Sequence, residues 1–285
     1  LSRSNHPKHL ISFNSEYSLL QETYLRINKS IDFENIIIVT NKHHYFEVKK
    51  QIHDVALLAE PIIISEPEGK NTLPAITLAA HHVISINKDA VLCVFPSDHQ
   101  IALVDELIRI VDIGVSMADK SFFSLVGIKP TYPSTGYGYI KPNLNSFREI
   151  KGRNNNECYL VDKFIEKPSL DSAKRYISEN YLWNSGIFIF KASNFFLLME
   201  QNQPRLTTLI QQITPSNIAS IYKQLDSVSI DYGLIEKVEE IYVIPADLGW
   251  SDLGNWNSIY NFLDKDKNLN SIYGKVVASN SSSSL

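Results

Sequence analysis

The sequence has only two cysteines among its 285 residues, Cys93 and Cys158, which is too few for a disulfide framework or a thiolate zinc site. No apolar run reaches the roughly 18 residues of a membrane span, and the first residues lack the pattern of a signal peptide. The formal net charge is −4, so there is no basic excess for binding nucleic acid. These absences are typical of a cytoplasmic protein with no membrane or nucleic-acid partner, and they leave nucleotide binding open.

Several catalytic signatures are missing as well. The chain contains no Ser-His-Asp order, no GxGxxG motif and no sequence context for a nucleophilic cysteine. The adjacent pairs His43-His44 and His81-His82 lie on helical patterns. Because neighbours on a helix do not face the same point, we do not expect either pair to bind a metal.

Buried-strand patterns alternate with helical patterns through residues 36 to 128. This alternation predicts an α/β fold with a mixed, mostly parallel central sheet and right-handed crossovers. The second half is less regular, with strand patterns near residues 158–168 and 186–192. The Asn- and Ser-rich residues 264–285 are typical of a linker or of the start of a further region. We therefore expect one domain over residues 1–263.

Residues 90 to 100 are the centre of this interpretation. A continuous apolar run from Ala90 to Phe95 predicts a strand buried on both faces of a parallel sheet. Asp98 follows the strand at its carboxyl end, where open α/β sheets bind their ligands. Two interpretations stay open for Asp98: it holds a metal ion over a phosphate, or it caps the next helix or an Asx-turn.

Asp98 and Asp252 are carboxylates that each follow a strand pattern, and Lys8 and Lys167 are lysines that each adjoin a proline. Two carboxylates on neighbouring strand ends suit Mg²⁺, which completes its shell with water and phosphate oxygens. The lysines can neutralise phosphates, as nucleotidyl transfer requires. Taken singly, each of these residues also fits a solvated surface charge.

Two turn motifs are candidates for binding a ligand. The motif GYGYI places Gly136 beside Tyr137, and glycines let a backbone approach a ligand closely. The motif WNSG places the Asn184 amide before a strand, where it can bond hydroxyl groups. An ordinary turn explains either motif equally well.

Taken together, eight ordered segments resemble the mannose-1-phosphate guanylyltransferases, which are sugar-phosphate nucleotidylyltransferases. The segments span nearly the whole chain and read LSRSNHPKHL with SLLQET, EPEGKNTLPAI, FPSDHQI, PTYPSTGYGYI, FIEKP, WNSGIFIF, SIDYGLIEK and GWSDLGNW. The resemblance implies a Rossmann-like, glycosyltransferase-A-like fold. It also implies the Mg²⁺-dependent transfer of GMP from GTP to mannose 1-phosphate, which gives GDP-mannose and pyrophosphate without a covalent intermediate.

The resemblance also implies roles for individual residues. Lys8, Asp98, Lys167 and Asp252 would be catalytic, with Asp98 and Asp252 holding the metal. The sugar phosphate would lie against a set consisting of Gly136, Glu166, Lys167 and Asn184. The nucleotide would lie against a set consisting of Arg3, Lys8, Asn71, Thr72, Pro74, Ala75 and Asp98. A homodimer is compatible with the resemblance, which does not fix the oligomeric state.

The sequence departs from the family pattern at four places. Family members carry a strand and a G-x-G-x-R-L-x-P phosphate loop directly before the segment that begins here at Leu1. Either both precede Leu1 in the full protein, or the protein lacks them and should be inactive. The usual PKQ reads Pro7-Lys8-His9, and the usual RNT reads Lys70-Asn71-Thr72, where lysine loses the bidentate grip of arginine. Family members also continue beyond the segment that ends here at Leu285.

Two other functions remain as alternatives. The protein could be a nucleotidylyltransferase for a different sugar 1-phosphate or nucleoside triphosphate. It could also be a catalytically silent protein that binds nucleotide sugars and regulates another activity.

Overall fold

Strands and helices alternate along the chain as their hydrophobic patterns predict. The computed structural model describes residues 7–13, 15–57, 60–120, 123–146, 148–149, 157–272 and 274–285. The strands are β1 (Ile37–Asn41), β2 (Ile62–Glu66), β3 (Val91–Val94), β4 (Gln100–Ile101), β5 (Phe123–Ile128), β6 (Gly138–Pro142), β7 (Arg148–Glu149), β8 (Glu157–Glu166), β9 (Leu182–Lys191), β10 (Ile241–Ala246) and β11 (Trp250–Ser251).

Half of the ten described α-helices begin at a residue whose side chain caps the first turn. Ser18 and Gln21 form a capping box at the start of α1, as the motif predicts. Asn71 accepts a hydrogen bond from the main-chain N–H of Thr72 at the start of α3. The helices are α1 (Leu19–Ile27), α2 (Tyr45–Val55), α3 (Thr72–Ile86), α4 (Val104–Ala118), α5 (Leu170–Ser178), α6 (Ala192–Asn202), α7 (Pro204–Gln211), α8 (Ile218–Tyr222), α9 (Ile230–Gly233) and α10 (Trp256–Phe262).

A mixed seven-stranded sheet forms the centre, in the order β10-β5-β9-β6-β8-β7, with β3 paired to β9. The predicted α/β fold with a mixed sheet is confirmed, although most hydrogen-bonded strand pairs in this sheet are antiparallel. Among the described strands only β1–β2 and β10–β5 pair in parallel, and β9 runs antiparallel to β3, β5 and β6. The reason is that a buried strand covered on both faces has the same apolar pattern in either direction.

Strand β9 shows how two cores form on the two faces of this sheet. Side chains alternate along a strand, so Ile187 and Ile189 join one core while Phe188 and Phe190 join the other. Helix α4 covers the first face, and helices α3, α6 and α7 cover the second. The result is a three-layer arrangement in which β9 is fully buried over most of its length.

Strands β1 and β2 form a separate parallel pair, packed under α1 and α2 by a small core that includes Leu20, Tyr24 and Ile52. A groove separates this pair from β3. Among the described residues β1 pairs only with β2, and β3 pairs only with β9, so each keeps one free edge. Residues of both strands line the groove, which explains why β3 is half-buried here rather than fully buried as predicted.

The remaining described segments add little to the sheet. Residues 264–285 contain no helix or strand among those described, and Ser271 and Asn268 hydrogen-bond with Ser284 and Ser283. The boundary at residue 263 stays a prediction. None of the described helices has the length and apolar character that crossing a membrane demands.

Candidate functional site

One cavity of about 1090 Å³ collects most of the predicted site residues. It runs from the groove between β1 and β3 to the carboxyl end of β3. The predicted site residues in its wall come from six separate segments and are Thr72, Ala75, Asp98, Gly136, Glu166, Lys167, Asn184 and Asp252. The fold therefore brings together residues that lie up to 180 positions apart in the sequence.

Lys8 and the two aspartates meet at one end of this cavity. Lys8 is almost fully buried, with its Nζ 2.8 Å from Oδ2 of Asp98. The same ammonium group donates a hydrogen bond to the main-chain carbonyl of Asp252. Burial acts to raise the pKa of Asp98, but His99 and Lys8 outweigh it and hold that pKa below its ordinary value. Asp98 is therefore ionised at neutral pH, and the position between the two aspartates favours a cation.

The alternative role of Asp98 as a helix cap is wrong. Helix α4 has Leu103 at its N-cap position, and no side chain caps its first turn. Asp98 instead directs its carboxylate toward Lys8 and His99.

His99 supports Asp98 from the protein interior. The indole N–H of Trp250 donates to Nδ1 of His99 at 3.2 Å. Burial lowers the pKa of His99, although Asp98 acts to raise it. Because Nδ1 accepts the indole hydrogen bond, the ring carries a proton on Nε2. That nitrogen lies 3.7 Å from Oδ1 of Asp98. The contact links Asp98 to the strand that precedes Asp252.

Asp252 lies in a tight turn after β11. Its Oδ1 accepts hydrogen bonds from the Tyr137 hydroxyl at 2.6 Å and from the Gly254 N–H at 3.0 Å. The next residue, Leu253, has a φ of 46°, which is unusual for a bulky side chain. Leu253 is almost fully buried against Leu19 and Ile259. Tertiary packing therefore holds the turn in a strained backbone conformation.

Two carboxylates alone form this part of the site. Among the described residues, no group of three or more His, Cys, Asp and Glu side chains is arranged to hold a metal. Two monodentate carboxylates fit Mg²⁺ well, because that ion keeps several waters and takes further oxygens from phosphates.

Glu166 and Asn184 lie at the other end of the cavity. The Glu166 carboxylate is mostly buried, and Nζ of the exposed Lys167 lies 3.5 Å from it. Burial, reinforced by the nearby Asp231, raises the pKa of Glu166. Asn184 donates to Asp231 at 2.9 Å and accepts from the Gly186 N–H. Carboxylate and amide oxygens here can accept hydrogen bonds from hydroxyl groups of a ligand.

The sequence predicted that Asn184 precedes a strand. In the structure, Asn184 lies within β9. The register with β5 shifts between Leu125 and Gly127, and Gly186 has a φ of 74°. This bulge turns the Asn184 side chain toward the cavity, as bulges next to ligand sites commonly do.

The predicted nucleotide-binding residues divide into three groups. Thr72 and Ala75 line the cavity. Asn71 caps α3, and Pro74 is buried in its first turn, so neither belongs to the cavity wall. Arg3 lies outside the described residues. The binding roles of all these residues remain predictions.

Helix α1 supports both aspartate loops. Arg26 donates to the main-chain carbonyl of His99 at 3.2 Å, and Glu22 accepts a hydrogen bond from Gln100. At the other end of the helix, Leu19 packs against Leu253. The position of each aspartate thus depends on the same helix.

Sequence reasoning missed Tyr137, His99, Trp250 and Asp231 as members of the site. Each lies inside one of the family-like motifs, and all but Asp231 lie within two positions of a predicted residue. Their place in these motifs was the one sequence feature that could have indicated a role in the site. Only the three-dimensional contacts distinguish these residues from ordinary core side chains.

Comparison with known proteins supports this picture. A sequence model of the nucleotidyl transferase family matches residues 1–268. Mannose-1-phosphate guanylyltransferase 2 of Escherichia coli O157:H7 is 34% identical over 279 residues, which cover 94% of this chain and 57% of that protein. Xanthan biosynthesis protein XanB of Xanthomonas campestris (strain ATCC 33913) is 33% identical, covering 97% of this chain and 59% of that protein. The chain thus spans a little over half the length of these curated relatives.

Solved structures agree on the fold. A structure from Thermus thermophilus, described as mannose-1-phosphate geranyltransferase, has a TM-score of 0.82 and 26% identity, covering 95% of this chain and 76% of that one. A UDP-glucose pyrophosphorylase complexed with UDP-glucose has a TM-score of 0.54 at 12% identity, covering 90% of this chain and 88% of that one, a likeness of fold alone. The resemblance seen in the sequence is confirmed, and the chain belongs to the nucleotidyl transferase family.

Proposed function

We propose that the protein transfers GMP from GTP to α-D-mannose 1-phosphate, giving GDP-mannose and pyrophosphate. One observation carries the proposal: a single cavity is lined by Asp98 and Asp252 at one end and by Glu166, Lys167 and Asn184 at the other. The first end suits a polyphosphate with its cation, and the second suits a sugar phosphate. The names of relatives that are 34–35% identical supply the choice of guanine and mannose.

In this reaction a phosphate oxygen of mannose 1-phosphate forms a new bond to the α-phosphorus of GTP. The bond from that phosphorus to the bridging oxygen breaks, and pyrophosphate leaves with the electron pair. Lys8 would neutralise charge on the phosphates, since its buried ammonium group lies at the aspartate end of the cavity. Lys167, which is largely exposed, would bind the phosphate of the sugar.

Asp98 and Asp252 would hold Mg²⁺. The donor set fits, because both side chains offer hard anionic oxygens beside a position that already favours a cation. When bound, the ion would neutralise the triphosphate and the developing charge on the leaving pyrophosphate. Glu166 and Asn184 would accept hydrogen bonds from the sugar hydroxyls and so hold the acceptor in line.

We also propose that an extended strand fills the groove between β1 and β3 in the active enzyme and brings a phosphate-binding loop to the cavity. The free edges of both strands and the apolar side chains from α1 and α3 support this. Hydrogen exchange should therefore be slower at β3 amides in the full-length protein than in residues 1–285. Equal exchange in the two would mean that the groove stays unfilled.

Initial rates with a matrix of nucleoside triphosphates and sugar 1-phosphates test the activity. We expect the highest kcat/KM for GTP with mannose 1-phosphate, with release of one pyrophosphate per GDP-mannose. Faster turnover with UTP or dTTP, or with glucose 1-phosphate, would overturn this substrate choice. Tight binding of GDP-mannose without any turnover would instead identify a silent binding protein.

A further inference from the structure

The Asp252 carboxylate presents its two oxygens unequally. Oδ1 accepts two hydrogen bonds, from the Tyr137 hydroxyl at 2.6 Å and from the Gly254 N–H at 3.0 Å. Because a carboxylate oxygen has two lone pairs in its plane, these donors occupy Oδ1 fully. Oδ2 is the oxygen left for a cation.

Tyr137 is held firmly enough to impose this orientation. Its ring is 8% exposed and packs against Tyr132, Trp183 and Trp250, with ring centroids 5.0–6.3 Å away. Its hydroxyl lies 3.0 Å from the Tyr132 hydroxyl. Since Tyr137 gives its own proton to Asp252, Tyr132 must donate to Tyr137.

The backbone of Tyr137 reaches the opposite end of the cavity. Its carbonyl accepts a hydrogen bond from the Lys167 N–H at 3.2 Å. Lys167 has a φ of 46°, so this contact helps to hold a strained residue in place. One residue therefore contacts both the Asp252 side chain and the main chain of the lysine expected to bind the sugar phosphate.

We propose that Tyr137 is a positioning residue for the divalent cation: by occupying Oδ1 of Asp252, it fixes that carboxylate in a monodentate orientation with Oδ2 directed to the ion. This inference rests on the proposed role of Asp252 as a metal ligand. Partners that orient a metal ligand commonly change metal affinity about 10–100-fold when removed.

The direct test is Tyr137→Phe in the full-length protein, which removes the hydroxyl and keeps the packed ring. Mn²⁺ binding at saturating GTP, without the sugar phosphate, is followed by electron paramagnetic resonance. We expect the Kd for Mn²⁺ to rise about tenfold. The KM for Mn²⁺ should rise in parallel, and kcat should recover at high Mn²⁺. The matched control is Tyr139→Phe, because the Tyr139 hydroxyl is bonded to the Ser134 carbonyl and makes no contact with Asp252.

Gly254→Ala tests the same carboxylate from its other side. A Cβ on Gly254 would overlap Oδ2 of Asp252, and Gly254 is exposed and free of a positive φ, so the fold should tolerate the change. We expect a similar loss of Mn²⁺ affinity. Unchanged Mn²⁺ affinity in Tyr137→Phe would overturn the positioning role.

Asp252→Asn separates this inference from the proposed function. If Asp252→Asn loses Mn²⁺ affinity while Tyr137→Phe keeps it, only the role of Tyr137 fails. If Asp252→Asn binds Mn²⁺ as tightly as the unaltered protein, the metal site itself has been assigned wrongly, and the inference fails with it.

Discussion

The ammonium group of Lys8 lies 2.8 Å from Oδ2 of Asp98, although 90 residues separate them in the chain. The same group donates to the main chain of Asp252. A buried lysine therefore holds the place where two carboxylate-bearing loops meet. The positive charge of Lys8 lies between these two loops. The chemistry proposed for the aspartate end of the cavity also depends on positive charge.

Removing either carboxylate should stop the reaction and preserve the fold. We expect Asp98→Asn and Asp252→Asn each to lower kcat at least about 100-fold, since the cation that offsets phosphate charge loses a ligand. Coupled detection of pyrophosphate measures the rate, and circular dichroism checks the fold. Activity like that of the unaltered protein in either variant would remove that residue from the proposed metal site.

Gly138 leaves room for the Glu166 side chain, so Gly138→Ala should impair sugar binding. A Cβ there would lie 2.6 Å from Oε2 of Glu166 and 2.9 Å from the ring of Phe164. We expect the KM for mannose 1-phosphate to rise about tenfold or more, as a misplaced positioning group predicts, with a smaller change in the KM for GTP. The control is Gly69→Ala, whose Cβ would meet nothing within 4 Å. Equal KM changes in the two variants would contradict this explanation.

Glu66 should make stability depend on pH. Burial raises the pKa of its carboxyl group to about 7, although the Tyr222 hydroxyl acts to lower it. The unfolded chain releases this proton near its ordinary value of roughly 4.3. The contribution of Glu66 is therefore fully present below that value, and it is lost as the pH rises toward and through 7.

The comparison that isolates this effect is urea unfolding of the unaltered protein and Glu66→Gln between pH 4.5 and 8. The free energy of unfolding of the unaltered protein should fall relative to Glu66→Gln by on the order of 1–2 kcal/mol over this range. Glu68→Gln is the control, because the Glu68 side chain is about half exposed and lies 3.4 Å from Lys70. A constant difference between the unaltered protein and Glu66→Gln at all pH values would contradict the assignment.

The contact between α4 and β9 should not tolerate an added methyl group. A Cβ on Gly114 would lie 3.0 Å from Cβ of Ile189 and would overlap its Cδ1. We expect Gly114→Ala to lower the free energy of unfolding by about 1–3 kcal/mol, despite the better helix propensity of alanine. Gly69→Ala is the control, since a Cβ there would meet nothing within 4 Å. The midpoint of urea unfolding is measured for both variants. Equal midpoints would mean that the contact between α4 and β9 accommodates the added methyl group without a loss of stability.

Local patterns predicted the parts of the fold that depend on neighbouring residues. Ser18 and Asn71 cap their helices, and Asp98 follows its strand, because capping and strand ends are encoded within a few positions. Long-range pairing is not encoded in this way. The antiparallel direction of β9 and the bulge beside Asn184 depend on strands that are tens of residues away.

The same distinction between local and long-range features decides which parts of the site could be predicted. The charged residues could be predicted because their chemistry and family motifs are visible in the sequence. The bond from Tyr137 to Asp252 spans 115 residues, and the positive φ angles of Lys167 and Leu253 fall on residues that rarely adopt them. Neither feature can be predicted from neighbouring residues in the sequence, because packing against distant parts of the chain holds each conformation in place.

Helix α1 contributes none of the predicted site residues, yet Arg26 supports the loop of Asp98 and Leu19 supports the turn of Asp252. The positions of the two carboxylates therefore depend on the same helix. A change that loosens this helix would move both carboxylates at the same time. A single substitution in α1 would therefore be enough to abolish activity. Screens for inactive variants of this protein should accordingly recover substitutions of Leu19 and Arg26 in α1 as well as substitutions of the carboxylates themselves.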